Sequence, residues 1–261
     1  MRDPGLARAI DKAGGVAELA RKIGIAQPSV SNWDRVPAQR VIAVEAATGI
    51  SRRELRPDLY DESNVAAAAL AIDPVDAGRA HQYLLLASLL SAPPSKKLLG
   101  ALAKLEGDDT PLGRAHAALA LAAQDAGSAT VEREYFDLFI GVGRGEILPY
   151  ASYYLTGFLH ERPLARLRGD LNTFGIERVE NNPEPEDNAA TLCEIMAGFA
   201  DGRFAASHEQ QRKFFDRHVA PWMGRMFADL EKAEAAKFYR SVGALGRLFL
   251  EIETEAFRFA N

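Results

Sequence analysis

The sequence carries one cysteine, Cys193, in 261 residues, which excludes an internal disulfide framework and a cysteine-cluster zinc site. It has no run of 18 or more apolar residues, so no segment is long enough to cross a membrane as a helix, and no membrane insertion is expected. The opening Met1-Arg2-Asp3-Pro4-Gly5 lacks the apolar core of a secretory signal, and the expected location is the cytoplasm. No Glu-x-x-His pair occurs, which removes the ligand set of a di-metal helical bundle. The five histidines, His81, His116, His160, His208 and His218, show no metal-ligand spacing, and His218 reads as a packed or capped residue near Trp222. There is no Gly-x-Ser-x-Gly elbow. Cys193, flanked by Leu192 and Ile195 in a helical run, reads as a small core residue rather than a nucleophile. The expectation is a protein that is not an enzyme and that holds no cofactor and no metal.

What the sequence does have is the composition of a folded chain, 48% hydrophobic and 26% charged, long enough for one large domain or two smaller ones. The net charge of −5 is unevenly spread. Residues 1–60 hold ten Lys/Arg against seven Asp/Glu, and residues 61–261 hold 21 against 29. A small basic head on an acidic body points to two domains with different partners. Residues 61–72, Asp-Glu-Ser-Asn followed by Val65 and four alanines, read as a linker that alanine makes compatible with a helical spacer. Asp73-Pro74 then starts a helix, an N-cap acid with proline at the first helical position. From residue 73 to 261 the pattern is helix after helix, about nine to eleven by periodicity, with no alternating β-branched run, so the fold class is all-α. In the last helix Leu245, Leu248, Phe249, Ile252, Ala256 and Phe259 form the expected core stripe, with Glu251, Glu253, Glu255 and Arg258 off it. Arg247 and Arg258 lie near enough to Glu251 and Glu255 to make ordinary surface ion pairs.

In the head, Val16 to Trp33 has the spacing of two helices joined by a tight turn. Ala20 is small where the helices cross, and Gly24 can take the left-handed conformation the turn needs. Val30 and Trp33 return to the core, leaving Gln27, Ser29, Ser31 and Asn32 outward, residue types that bond to base edges and phosphates. This stretch, with Val36-Pro37-Ala38-Gln39-Arg40 and Thr48 to Leu59, resembles the Cro/YdaS-like helix-turn-helix family. The resemblance implies a DNA-binding head, with Arg35 and Arg40 joining the four polar residues as contacts. Spanning two half-sites about 34 Å apart would require a homodimer. A degenerate head that keeps the fold and binds DNA weakly stays open, because an excess of three positive charges is modest for a DNA binder.

In the body, Gly141-Val142-Gly143-Arg144-Gly145 follows a helix and lacks a Gly-Lys-Ser/Thr ending, so it reads as a turn rather than a phosphate loop. Beyond it, Tyr150, Tyr153 and Tyr154 suit the wall of a groove that is apolar at one end and wet at the other, while Phe136 and Phe139 read as core. The stretch Glu177 to Asn188 gathers acids around two prolines. It reads either as a solvated loop preceding a helix or as a guide for a basic ligand. Four pieces carry a second resemblance: Glu134-Tyr135-Phe136-Asp137-Leu138-Phe139; Leu148-Pro149-Tyr150-Ala151-Ser152-Tyr153-Tyr154; Glu184-Pro185-Glu186-Asp187-Asn188; and Gln211, Phe214, Phe215, His218, Pro221, Trp222. In that order they resemble the TorD/DmsD family of redox-enzyme maturation chaperones, relatives of the NarJ type.

The resemblance implies a chaperone that binds the signal peptide or the apo catalytic subunit of a molybdopterin oxidoreductase. The family's acidic motif usually ends in Asp-His; here Asn188 follows Asp187, which keeps hydrogen bonding and loses the titratable ring. A twin-arginine leader has a basic end and an apolar stretch. The expected client site is therefore Tyr150, Ser152, Tyr153 and Tyr154 on the apolar side with Glu184, Pro185, Glu186, Asp187 and Asn188 on the acidic side. The other reading is a helix-turn-helix regulator whose body serves as a sensor or dimerisation domain, and a third is a chaperone whose head no longer binds DNA.

Overall fold

The computed structural model describes residues 3–25, 27–57, 73–176 and 184–259. The linker expected at 61–72 and the first part of the acidic stretch, 177–183, lie outside the described residues. The chain divides into two compact units, Met1–Ile72 and Asp73–Asn261. Among the described residues there are fifteen α-helices and no strand, which agrees with the all-α expectation.

The head consists of α1 (Pro4–Ala13), α2 (Val16–Lys22), α3 (Gln27–Ser31), α4 (Val41–Thr48) and α5 (Arg52–Leu55), with a 3₁₀ turn at Ala38–Arg40. Leu6, Leu19, Ala20, Val30, Val36, Val41, Val44 and Leu55 form its core. Gly24 adopts φ 71° between α2 and α3, the left-handed turn expected there. Val30 is fully buried and Trp33 packs against this core.

The body contains α6 (Pro74–Ser91), α7 (Lys96–Leu102), α8 (Pro111–Asp125), α9 (Ser128–Tyr135), α10 (Ala151–Thr156), α11 (Arg162–Thr173), α12 (Ala189–Ala200), α13 (His208–His218), α14 (Met223–Lys232) and α15 (Phe238–Phe259). Their starts are written in the sequence. Asp73 accepts from Val75 N at 2.9 Å, Thr110 from Gly113 N at 3.0 Å, and Ser207 with Gln210 forms a reciprocal cap, each satisfying backbone donors a helix start leaves orphaned. Apart from Thr191 and Glu194, α12 is buried throughout, the expected state of a helix that is apolar all round. It packs along α6, while α14 packs along α15. Gly246 makes the second crossing possible, since a Cβ there would sit 2.4 Å from the Phe227 ring.

The phase of α15 departs from the expected stripe. Tyr239, Val242, Leu245, Gly246, Phe249, Glu253 and Phe257 face inward, whereas Ile252 is 41% and Phe259 82% exposed. Ala256 is exposed as well. Glu253, placed off the stripe by its charge, is 1% exposed. The reason is Arg79 on α6, whose guanidinium bonds the Glu253 carboxylate at 2.8 and 3.0 Å and lies 4.9 Å from the Phe257 ring. Tyr83 Oη donates to the same carboxylate at 3.0 Å. A buried cation must have a paired and hydrogen-bonded anion, so charge here marks the interior.

Glu134 has a comparable role. It is 6% exposed, and its carboxylate accepts from the backbone N–H groups of Lys237, Phe238 and Tyr239 at 2.7, 3.2 and 2.7 Å. An anion placed at the orphan donors of a helix N-terminus stabilises that helix. Tyr135 beside it donates to the Leu90 carbonyl at 3.1 Å. The Glu-Tyr-Phe-Asp-Leu-Phe piece is therefore a fastening between α9, α6 and α15.

Glu253→Ala removes the carboxylate that Arg79 and Tyr83 share and leaves Arg79 only its 2.6 Å pair with Asp76; it is expected to lower unfolding free energy by about 1–3 kcal/mol, whereas Arg79→Met with Glu253→Leu recovers most of it. Urea unfolding of the three proteins checks this, and equal midpoints for wild type and Glu253→Ala would contradict it.

Candidate functional site

Two sequence pieces 35 residues apart build the site. Pro149–Ser152 and Asp187–Ala190 run side by side. The Tyr150 and Asn188 backbones form an isolated antiparallel bridge. Ala151 N donates to the Asp187 carbonyl at 3.0 Å and Ala189 N to the Pro149 carbonyl at 2.8 Å. The Asp187 side chain, 1% exposed, completes the join. Its Oδ2 accepts from Ser152 N at 2.8 Å and from the Ser152 hydroxyl. One carboxylate thus caps the start of α10. Asn188 does the same for α12, its Oδ1 accepting from Ala190 N at 2.8 Å, a position an amide fills well.

The expected client residues separate into three groups. Ser152 and Asp187 are internal and bonded to one another. Glu186 is 9% exposed, and Arg168 grips its carboxylate at 2.8 and 3.1 Å. Charge-assisted bonding to that carboxylate, working against burial, raises the pKa of Arg168.

Tyr150, Glu184 and Asn188 form the second group. They line a cavity of about 560 Å³ together with Leu90, Pro93, Tyr135, Phe139, Ile140, Pro149 and Glu194. The Tyr150 hydroxyl donates to Glu184, and Asn188 Nδ2 donates to the same oxygen at 3.1 Å. Burial first, and then the Glu184 charge, push the Tyr150 hydroxyl pKa up, so the phenol stays a donor.

Tyr153 and Tyr154 form the third group, in a separate depression of about 280 Å³ that also contains Leu148, Arg144, Glu146, Asp229 and Lys232. Tyr154 donates to Asp229 at 3.0 Å and its ring lies 5.5 Å from Trp222. The expected single groove is therefore two concavities on either side of residues 147–154.

Several lining residues were not read from the sequence. Phe139, expected as core, does pack on Tyr135 and Tyr239, at 5.0 and 5.4 Å, yet it also lines the cavity. It does so because Phe136–Ile140 forms a π-helical turn, a bulge that swings side chains out of α-helical register. Glu194 had a legible signal: it is the only charged residue between Asn188 and Asp201 in an otherwise buried helix. The glycine-rich stretch is a turn, with Gly141 at φ 62° and Gly143 at φ 86°.

On the head, Gln27, Ser29, Ser31, Asn32 and Arg35 are exposed and Arg40 is half-buried. Helix α3 spans five residues and ends at Ser31, so Asn32 lies just past its end. Ser31 Oγ donates to the Gln27 carbonyl at 3.1 Å.

Residues 105–228 match the family described as nitrate reductase delta subunit, and residues 6–64 match the family described as bacterial toxin YdaS. The chaperone protein TorD of Vibrio cholerae serotype O1 (strain ATCC 39541) is 27% identical over 139 residues, covering 49% of this chain and 63% of that protein. The chaperone protein TorD of Shewanella loihica is 23% identical over 206 residues, covering 70% of this chain and 94% of that protein. A crystal structure assigned to a redox enzyme maturation protein from Archaeoglobus fulgidus superposes with a TM-score of 0.46 at 21% identity, covering 66% of this chain and 93% of that one. The chain spans less than two thirds of the length of the Vibrio cholerae relatives. It joins a YdaS-like helix-turn-helix head to a TorD-like all-helical body.

Because Asp187 is spent on the join, Asp187→Ala is expected to lower stability by about 1–3 kcal/mol through the orphaned Ser152 donors, and Ser152→Ala by less. Thermal unfolding measures this. An unchanged midpoint for Asp187→Ala would contradict the assignment.

Proposed function

We propose that the body is a chaperone that binds the signal peptide or the apo catalytic subunit of a molybdopterin oxidoreductase in the cytoplasm, and that the cavity beside Tyr150 receives a client segment bearing apolar and basic side chains. The observation that carries this is the composition of the cavity wall. Leu90, Pro93, Tyr135, Phe139, Ile140 and Pro149 supply apolar surface, Glu184 and Glu194 supply negative charge, and no lysine or arginine is among the described residues that line it. A volume of about 560 Å³ lies within the range of cavities that hold ligands. Carboxylates beside apolar walls suit an arginine followed by apolar residues, since the guanidinium makes charge-assisted bonds and the remainder is desolvated. Relatives named as chaperones support this reading, and they also fit a protein that is not an enzyme. Glu186, Asp187 and Ser152 serve as framework here, and Pro185 as part of the turn that presents Glu184.

The head is proposed to bind DNA as part of a homodimer through Gln27, Ser29, Ser31, Asn32, Arg35 and Arg40. Support comes from the exposure of the polar set and from the YdaS-like match. The regulator reading, in which the body is a sensor or dimerisation domain, shares this head and differs in having no client. The boundaries proposed are 1–60 for the head, 61–72 for the linker and 73–261 for the body.

Glu184→Gln with Glu194→Gln in the full chain is expected to weaken binding of an apo molybdoenzyme catalytic subunit at least tenfold in titration calorimetry. Unchanged affinity would move the site elsewhere, and no binding by wild type would leave the regulator reading. For the head, Gln27→Ala with Asn32→Ala is expected to flatten sequence preference on duplex DNA. Arg35→Ala is expected to reduce the salt dependence by about one unit of slope. A wild-type chain that fails to bind DNA at low salt would contradict the DNA-binding assignment.

A further inference from the structure

Each of the two tyrosines outside the cavity carries an arginine of the chain itself. The Arg225 guanidinium lies 6.0 Å from the Tyr154 ring centroid. It is held there by its position on α14 and by a 2.8 Å bond to the Tyr154 carbonyl. The Arg144 guanidinium lies 5.1 Å from the Tyr153 ring centroid and donates to the Tyr153 hydroxyl at 2.6 Å. The second arrangement is held differently. Arg144 sits on the glycine turn, between Gly143 at φ 86° and Gly145, in a loop whose Val142 is 95% exposed. The base of the turn is fixed, with Gly141 N donating to the Phe136 carbonyl at 2.7 Å and Ile147 N to the Leu138 carbonyl at 2.7 Å. Among the described residues Arg144 makes no ion pair with a carboxylate, although Glu146 and Asp229 line the same depression.

A guanidinium beside a partly exposed aromatic ring is held by only about 0.5–2 kcal/mol, and the Arg144 side chain is exposed, so it can leave the ring while the backbone of the turn stays packed through Gly141 and Gly145. We propose that the Tyr153 face is a guanidinium-binding subsite for the client and that Arg144 is an internal stand-in that a client arginine displaces. This rests on the proposed client binding and adds to it a second recognition point. Residues 147–154 border both concavities, so a client with two neighbouring arginines places one at Glu184 and Glu194 and the other on Tyr153. The phenol face takes planar guanidinium better than ammonium, which makes this the position that distinguishes arginine from lysine. Displacing the Arg144 side chain costs affinity.

The test uses the full chain and two synthetic peptides, Ser-Arg-Arg-Ser-Phe-Leu-Lys-Ala-Leu-Ala-Ala and the same peptide with both arginines replaced by lysine, in fluorescence anisotropy. The expected result is that Arg144→Ala tightens binding of the arginine peptide about three- to tenfold, with little change for the lysine peptide. Tyr153→Leu should bring the two peptides to equal affinity, with circular dichroism confirming that both variants fold. Weaker or unchanged arginine-peptide binding by Arg144→Ala, with wild type binding well, would overturn the stand-in while leaving the cavity reading intact. Absence of binding by wild type and Arg144→Ala alike would overturn the client reading on which both rest.

Discussion

The arrangement of the body depends on buried carboxylates that each close a gap between distant segments, and Asp187 is the one on which the candidate site rests. Its side chain holds the start of α10 while its main chain joins the segment leading into α12, so Tyr150 and Glu184 meet across 34 residues of sequence. Without that join the cavity would lose its acidic edge. Glu134 and Glu253 act on the same principle elsewhere, one capping α15 and the other holding it against α6. An anion in the interior is unfavourable unless it is hydrogen-bonded, and each of these three is, Asp187 through Oδ2 alone, so they fix helix positions that apolar packing alone would leave free to slide.

These anchors also explain how far the sequence could be read. Helix starts were legible where a short polar side chain or a proline marks them, as at Asp73-Pro74 and Thr110-Pro111, because the cap is a local interaction. The all-α class was legible from period, and Gly24 and Ala20 marked the turn and crossing in the head. The face of α15 was not, since hydrophobicity places Ile252 and Phe259 inside and Glu253 outside. The buried partner that reverses this, Arg79, is 174 residues away. Long-range charge pairing is invisible to any window along the chain.

The site shows the same division. The segments that resemble the family were legible as pieces, but their residues divide between framework and surface in a way that only the fold decides. Glu186 and Asp187 look like ligands for a basic partner until Arg168 and Ser152 are seen to hold them. Glu194 and Ile140 line the cavity although neither belongs to the matching pieces. The π-helical turn that exposes Phe139 and Ile140 has no signature in residue spacing, because it is a one-residue insertion into an otherwise ordinary helix. The resemblance therefore pointed to the segments that build the candidate site, and buried electrostatics decided which of their side chains remain available.

Hydrogen–deuterium exchange of the full chain, with and without an apo molybdoenzyme catalytic subunit, tests the central claim most directly. The account expects protection concentrated in two stretches, 135–154 and 184–194, where the cavity and the glycine turn lie. Protection confined to the head, or an exchange pattern that the client leaves unchanged, would contradict a client site in the body.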